Sequence, residues 1–563
     1  MDVPVTRRAS PHPRGPLARQ DGAAEPADRA FIYDEVFKYL GEFGRYQKRL
    51  YFMLCLPAVV SALHKLGSVF LQAKAAHRCR LPWEDEHAGY ALPDHVANMS
   101  YPWDPQEGGW SSCLLLDANL TGGSRACSAW VFDQTLYGSS TVMEFDLVCS
   151  RSWIPATTDA VFMSGDLIGS TLFGYFSDKF GRRPIFFFTL TMQTICGIAA
   201  AAMPNAVGFM ITRFLIGLTA SALYVAAYVL AMELVGPSKR MFAAMIYAYF
   251  FTAGYVLCAF FSYFLNNWRY LQLALTAPGL ILFSYWWCLP ESTRWLLSNR
   301  RKVAAKRILL KVADVNRVQI PDKVLENMRV SVDALSEGQS PHSVLDLVRV
   351  RSVRARTLVI CFNWFVISCT YFGLSWSSAS LGGNDYVNFL MSGLVELPAP
   401  VFLIFTLDRC GRKPIFTGCM LVAAAVLLLS NAIPADLNWL RIALIMVGKM
   451  AITAAFNVAY ILAAELFPTV LRNVGIGTCS TCARVGGIAA PYVIYSANVW
   501  QPFPEVIFGL ITMAGGLLGL MLPETLNRKL PDTVEECENY EKKTDLRLQP
   551  AIDRDGTRET QLS

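Results

Sequence analysis

Charge is scarce in this chain. Asp, Glu, Lys and Arg together make up 17% of its 563 residues, while 53% are hydrophobic. A soluble protein of this length carries more charge and splits into several domains. The first 48 residues are polar and rich in Pro and Arg and lack an apolar core, which excludes a cleaved signal peptide and leaves the first membrane helix as its own signal. No GxxxxGK[ST] phosphate loop appears, which argues against an ATP-driven pump. No catalytic triad or metal cluster is visible, so neither an enzyme nor a bound cofactor is expected. The net charge of +6 is small, and no nucleic-acid partner is expected.

What is abundant is long apolar runs, such as "IFFFTLTMQTICGIAAAAMP" (Ile185–Pro204). A bilayer core needs roughly 20 apolar residues per helix. Twelve blocks meet that need, beginning near residues 49, 157, 185, 208, 242, 269, 356, 386, 415, 438, 473 and 503, and are numbered here spans 1 to 12. The expected fold is an all-α membrane protein. The expected divisions are a cytosolic segment 1–48, a six-helix half 49–290 with an extracellular loop 73–156, and a cytosolic linker 291–355. A second half 356–523 and a cytosolic tail 524–563 follow. The polar tails before about Phe31 and after about Lys543 read as disordered.

Charge distribution orients the chain. Lys74–Pro155 holds ten acidic residues against five Lys or Arg, whereas Arg294–Arg356 is dense in basic residues. Positive loops stay in the cytosol, so the first loop belongs outside, and the linker and both termini inside. The first loop also carries Cys79, Cys113, Cys127 and Cys149, enough for two disulfides in three possible pairings. It holds two glycosylation sequons, at Asn98 and Asn119. The other eleven cysteines fall mostly in apolar blocks and read as packing residues.

The chain repeats itself. "DKFGRRP" (Asp178–Pro184) returns as "DRCGRKP" (Asp408–Pro414), "AYVLAMEL" (Ala227–Leu234) as "AYILAAEL" (Ala459–Leu466), and "LPES" (Leu289–Ser292) as "LPET" (Leu522–Thr525). The offsets are 230, 232 and 233 residues, which implies two homologous halves. Parallel repeats of six spans are the plan of major facilitator transporters, with the substrate site at the midplane between them. Asp178, Arg182 and Arg183, with Glu233, Glu291 and Arg294, lie at helix ends. So do Asp408, Arg412 and Glu465 in the second half. They are expected to pair across helix ends and hold an inner gate shut.

These motifs, together with "CSAWVFDQTLYGSSTVMEFDLVC" (Cys127–Cys149), "LPESTRWLL" and "AELFPTVLRNVGIGTCST", resemble the organic cation, organic anion and carnitine transporter family, solute carrier 22, of the major facilitator superfamily. The resemblance runs from about Phe31 to Glu536 and is nearest to the carnitine and organic cation branch. One departure is Ile404, where the second cytosolic motif usually opens with glycine.

Charges inside spans are expensive and default to functional candidates. Four stand out: Asp166 in span 2, Glu396 in span 8, Lys449 in span 10 and Arg484 in span 11. The resemblance makes Arg484 a selectivity clue, because cation carriers have an aspartate there, and anion and carnitine members an arginine. It also sets Pro400 where anion carriers have a lysine. An acid and a base in one cavity suit a zwitterion, with Arg484 on its carboxylate and Glu396 near its ammonium. The alternative is that Arg484 and Glu396 pair with each other, or with Asp166, purely to neutralise buried charge. Lys449 is expected to be structural or gating. Tyr224 and Tyr228 on span 4, Trp364 and Tyr371 on span 7 and Tyr460 on span 10 would supply aromatic faces for ammonium groups. The expectation is a secondary transporter of the plasma membrane for organic cations or zwitterions such as carnitine. An organic anion exchanger is the alternative. Sodium or a proton is the candidate coupling ion.

Overall fold

The computed structural model describes residues 31–526 except 86–87, 105–108, 117–122, 327, 330–346, 348, 350 and 469. Asn119, the two polar tails and part of the linker therefore lie outside the described residues. Span 1 is Arg45–Leu66, span 2 Trp153–Phe180, span 3 Arg182–Ala202, span 4 Ala206–Glu233, span 5 Arg240–Phe264 and span 6 Trp268–Leu282. Span 7 is Arg351–Ser377, span 9 Arg412–Ser430, span 10 Asn438–Leu466, span 11 Arg472–Tyr495 and span 12 Phe503–Gly519. Span 8 comes in two pieces, Asp385–Leu394 and Pro398–Cys410. Its break falls just before Pro398 and Pro400, whose missing N–H groups cannot continue the hydrogen-bond ladder.

Among the described residues, eight of these helices are long and apolar enough to cross a membrane by length and composition alone. The other four differ for physical reasons. Spans 6 and 12 are short, at 15 and 17 residues. Span 2 carries Asp159 and Asp166, and span 11 carries Arg484, which lowers their hydropathy. The charges that make these two helices look less like membrane spans are the ones that matter below.

Within each half the helices touch backbone to backbone where side chains are absent. A Cβ on Gly169 would strike Leu218 O, which ties span 2 to span 4, and one on Gly486 would strike Phe365 O, which ties span 11 to span 7. Between halves, span 2 packs along span 11, and span 5 along the first piece of span 8.

The loop between spans 1 and 2 is a small ordered unit. Strand His77–Cys79 pairs antiparallel with Trp130–Phe132, and Leu114–Leu116 with Ser124–Ala126. Of the three pairings open to the sequence, the structure joins Cys79 to Cys127 and Cys113 to Cys149, with Cα atoms 5.7 Å apart in each. Asn98 lies exposed on the helix Asp94–Ser100. Arg78 grips both Glu84 oxygens at 2.7 Å. The Arg78 hydrogen bonds hold the Glu84 carboxyl below its usual range, against the upward push of burial.

The linker is not a plain loop where it is described. It forms helices Thr293–Ser298 and Lys302–Asn316, and Trp295, Leu296 and Leu309 pack on Val36, Phe37 and Leu40.

Candidate functional site

At the end opposite the Cys-bearing loop, the repeated motifs form one device twice. Gly181 and Gly411 take φ of +110° and +96°, a region open to glycine, and so turn span 2 into span 3 and span 8 into span 9. In the first half, Glu291 accepts from the backbone N–H of Arg182 at 3.0 Å and of Arg183 at 3.3 Å. In the second, Glu524 accepts from Arg412 N at 3.0 Å and Lys413 N at 3.1 Å. Each carboxylate thus satisfies the open N–H groups at a helix start and sits at the positive end of its dipole. Burial pushes the Glu524 carboxyl up, but backbone N–H groups of Leu526, Arg412, Thr525 and Lys413 bring it below its usual range.

The arginines follow the same symmetry. Arg182 pairs with Asp178 at 2.9 Å and Glu233 at 3.7 Å, and Arg412 pairs with Asp408 at 3.2 Å and Glu465 at 3.3 Å. Arg183 donates to Trp286 O at 2.7 Å, and the Arg294 charge acts on Glu233 from the helix that follows span 6. These pairs tie helix ends within each half. The sequence reading left Glu524 out of the group, although its "LPET" mirrors the "LPES" of Glu291.

The middle of the spans is different. Asp166 is 4% exposed and stands between two cations, Lys65 Nζ at 2.7 Å and Arg484 Nε at 3.2 Å. Asp166 belongs to span 2 and Arg484 to span 11, so this link joins the halves. Arg484 also donates to Ser480 O at 3.0 Å and to the Ser480 hydroxyl. Its side chain keeps 19% of its surface open. Lys65 was missed in the sequence because it closes an apolar run and reads as a flanking charge.

Glu396 and Lys449 form a second, sealed pair 3.2 Å apart, with side chains 4% and 1% exposed. Lys449 also donates to Ser375 and lies 4.1 Å over the Tyr371 ring, and Thr252 donates to Glu396 at 3.3 Å. The structure therefore does not bring Glu396 to Arg484. It gives Glu396 a protein cation. A third pair, Arg213 and Asp159 at 3.8 Å, was also missed. Arg213 lies 4.3 Å over the Phe162 ring and donates to His64 O at 2.9 Å. The rule that flagged Arg484, a charge inside an apolar run, would have found Arg213 and Asp159 too.

The aromatic residues divide. Tyr460 is 46% exposed, and its hydroxyl is near enough to act on Tyr224, Tyr228, Arg484 and Asp166. Tyr224 and Tyr228 pack edge-on against Tyr247 at 5.1 and 5.2 Å and stay half-buried. Trp364 and Tyr371 are buried instead. Trp364 backs Tyr460 at 4.4 Å, and Tyr371 stacks on Phe456 at 5.8 Å. They support the open rings and the Lys449 pair, where the sequence reading had them facing a cavity.

The family described as "Sugar (and other) transporter" matches residues 125–536. An "Organic cation transporter protein" of Drosophila melanogaster is 46% identical over 529 residues, covering 91% of this chain and 95% of its own. The chain belongs to the solute carrier 22 family of the major facilitator superfamily. This transporter is also 34% identical over 527 residues to human "Organic cation/carnitine transporter 2", covering 90% of this chain and 93% of that one. "Solute carrier family 22 member 2" of Rattus norvegicus is 35% identical over 535 residues, covering 90% and 96%. A major facilitator proton:xylose symporter shares the fold with a TM-score of 0.55 at 18% identity, covering 88% of this chain and 99% of its own. The chain is thus a twelve-helix membrane transporter and not an enzyme.

Proposed function

We propose that this transporter moves organic cations and zwitterions such as carnitine across the plasma membrane by alternating access. In this reading the Cys-bearing loop lies outside, and both termini lie inside. The relatives' names, organic cation transporter and organic cation/carnitine transporter, point to the same chemistry.

One observation carries the zwitterion reading. Among the described residues, the cations of these three linked groups, Lys65, Arg213, Lys449 and Arg484, outnumber the carboxylates Asp159, Asp166 and Glu396 by one. Glu396–Lys449 is sealed, and the Asp159 charge is offset by Arg213. The surplus charge therefore falls at Lys65–Asp166–Arg484, where Arg484 is still partly open. A substrate carboxylate supplies the missing negative charge there. The open faces of Tyr460, Tyr224 and Tyr228 then take the ammonium, at roughly 0.5–2 kcal/mol per ring. A carboxylate on Arg484 also competes with Asp166 and so loosens a link between the halves. That competition gives substrate binding a direct effect on the conformational change. Sodium or a proton supplies the coupling.

The test is uptake of one cation, one zwitterion and one anion by wild type and Arg484→Ala, each with and without sodium. Carnitine uptake should fall about tenfold or more in the variant, with plain cations less affected. Equal loss for cation and zwitterion would assign Arg484 to folding or gating. Uptake of para-aminohippurate alone would make the protein an anion exchanger.

A further inference from the structure

A separate cavity of about 230 Å³ opens at the loop end, between the two halves. Neither Arg484, Asp166 nor Tyr460 lines it. The turn of helix after span 1 contributes Ser68 and Gln72, and span 2 contributes Asp159; the second half contributes Asp385, Trp376 and Tyr495. Tyr137 of the loop reaches across and donates to Asp385 at 2.6 Å.

The lining includes two carboxylates and a buried amide oxygen. Ser68 opens the short helix Ser68–Leu71 that follows span 1, Gln72 ends it, and the two are 2% and 7% exposed. Among the described residues, Gln72 Oε1 is buried without a hydrogen-bond partner, and the Ser68 hydroxyl acts on the Asp159 carboxylate while keeping its lone pairs. Gln72 spends its amide on Asp159, to which Nε2 donates at 2.9 Å. That leaves its carbonyl oxygen with nothing to accept from, a state that costs about 1–3 kcal/mol until a donor arrives. Asp159 and Asp385 add a carboxylate from each half. Arg213 stands 3.8 Å from Asp159 and offsets its charge, whereas among the described residues Asp385 has a tyrosine hydroxyl and no cation at hydrogen-bond distance. Lys74 also lines the cavity and is exposed. The rings of Tyr137, Trp376 and Tyr495 supply apolar faces.

The geometry points to a second ligand site here, for a primary or secondary ammonium ion on a small aromatic or apolar body. Its N–H groups satisfy Gln72 Oε1, Ser68 Oγ and the carboxylates, which a quaternary ammonium, having no N–H, cannot do. The volume lies below the roughly 300–1,000 Å³ of drug-sized pockets, so it takes one small amine. An occupant touches walls from both halves and therefore holds the loop end closed. On the transport reading above, such an amine inhibits from the outside without competing at Arg484.

Tyramine is the probe and choline the quaternary contrast, each measured by equilibrium dialysis against the purified full chain in lipid nanodiscs. Tyramine should bind wild type and bind Asp385→Asn and Gln72→Leu about tenfold more weakly. Choline binding and carnitine uptake without tyramine should be unchanged in Asp385→Asn. Should Gln72→Leu fail to fold, Asp385→Asn alone decides. Tyramine binding that is absent, or equal in wild type and Asp385→Asn, overturns the site. Asp385-dependent tyramine binding in a protein that takes up no carnitine supports the site and refutes the transport reading instead.

Discussion

The two ends of the charge inventory obey different rules. At the motif end the halves copy one another: Glu291 and Glu524 cap the helices after Gly181 and Gly411, and Arg182 and Arg412 each hold two acids. In mid-span the copying stops. The first half closes Asp159 on Arg213, the second closes Glu396 on Lys449, and Asp166 reaches Arg484 across the interface. Duplication preserves what both halves need, a rigid bundle end. Divergence falls on the mid-span charges, which on the proposed reading serve one substrate with two unlike ends and have no use for symmetry.

Four experiments break or sharpen that contrast. The largest effect belongs to Lys449→Met, which strands Glu396 as a buried unpaired charge and should cost about 3–5 kcal/mol in thermal unfolding. Adding Glu396→Leu should restore most of it. A single variant as stable as wild type would deny the pair its structural role. Next, Arg182→Ala and Arg412→Ala should each cost about 1.5–3 kcal/mol and match within about 0.5 kcal/mol. A strongly unequal pair of melting temperatures would contradict the symmetry of the motif end.

Asp166→Asn should cost less stability than Lys449→Met, because Lys65 and Arg484 keep 16% and 19% of their side chains open, but it leaves both without their acid. The ratio of anion to cation uptake should rise about tenfold. An unchanged ratio would remove the central cluster from selectivity.

The smallest effect concerns the loop. The folded Glu84 carboxyl titrates below its ordinary 4.5, chiefly through Arg78, so its contribution is full above about pH 4.5 and fades as pH falls through the lower folded value. Hydrogen exchange of His77–Glu84 should quicken over that range, and Glu84→Gln should flatten the response. The same acid dependence in Glu84→Gln would place the sensitivity elsewhere in the loop.

Much of this was open to sequence reading for definite reasons. Apolar runs of membrane length mark a helix whatever it packs against, and three motifs recurring near one offset announce two halves. Arg484 was visible because a guanidinium within an apolar run has no bland reading. Lys65 escaped because it sits where such a run ends. Trp364 and Tyr371 were assigned to the cavity by helical face, yet both are buried, since periodicity gives a direction around a helix and not the neighbour met there.

The sequence by itself determined the solvent, the count of spans, the duplication and the identity of the motif charges, because each depends on composition or spacing along one helix. Only the tertiary structure decided the partners. Asp166 and Arg484 lie 318 residues apart, and Tyr137 and Asp385 lie 248 apart. Whether a buried charge is spent on a protein partner or left for a ligand depends on which helices adjoin. That is set by side-chain volume and backbone contact between spans, at places such as Gly169 and Gly486, which no local pattern encodes.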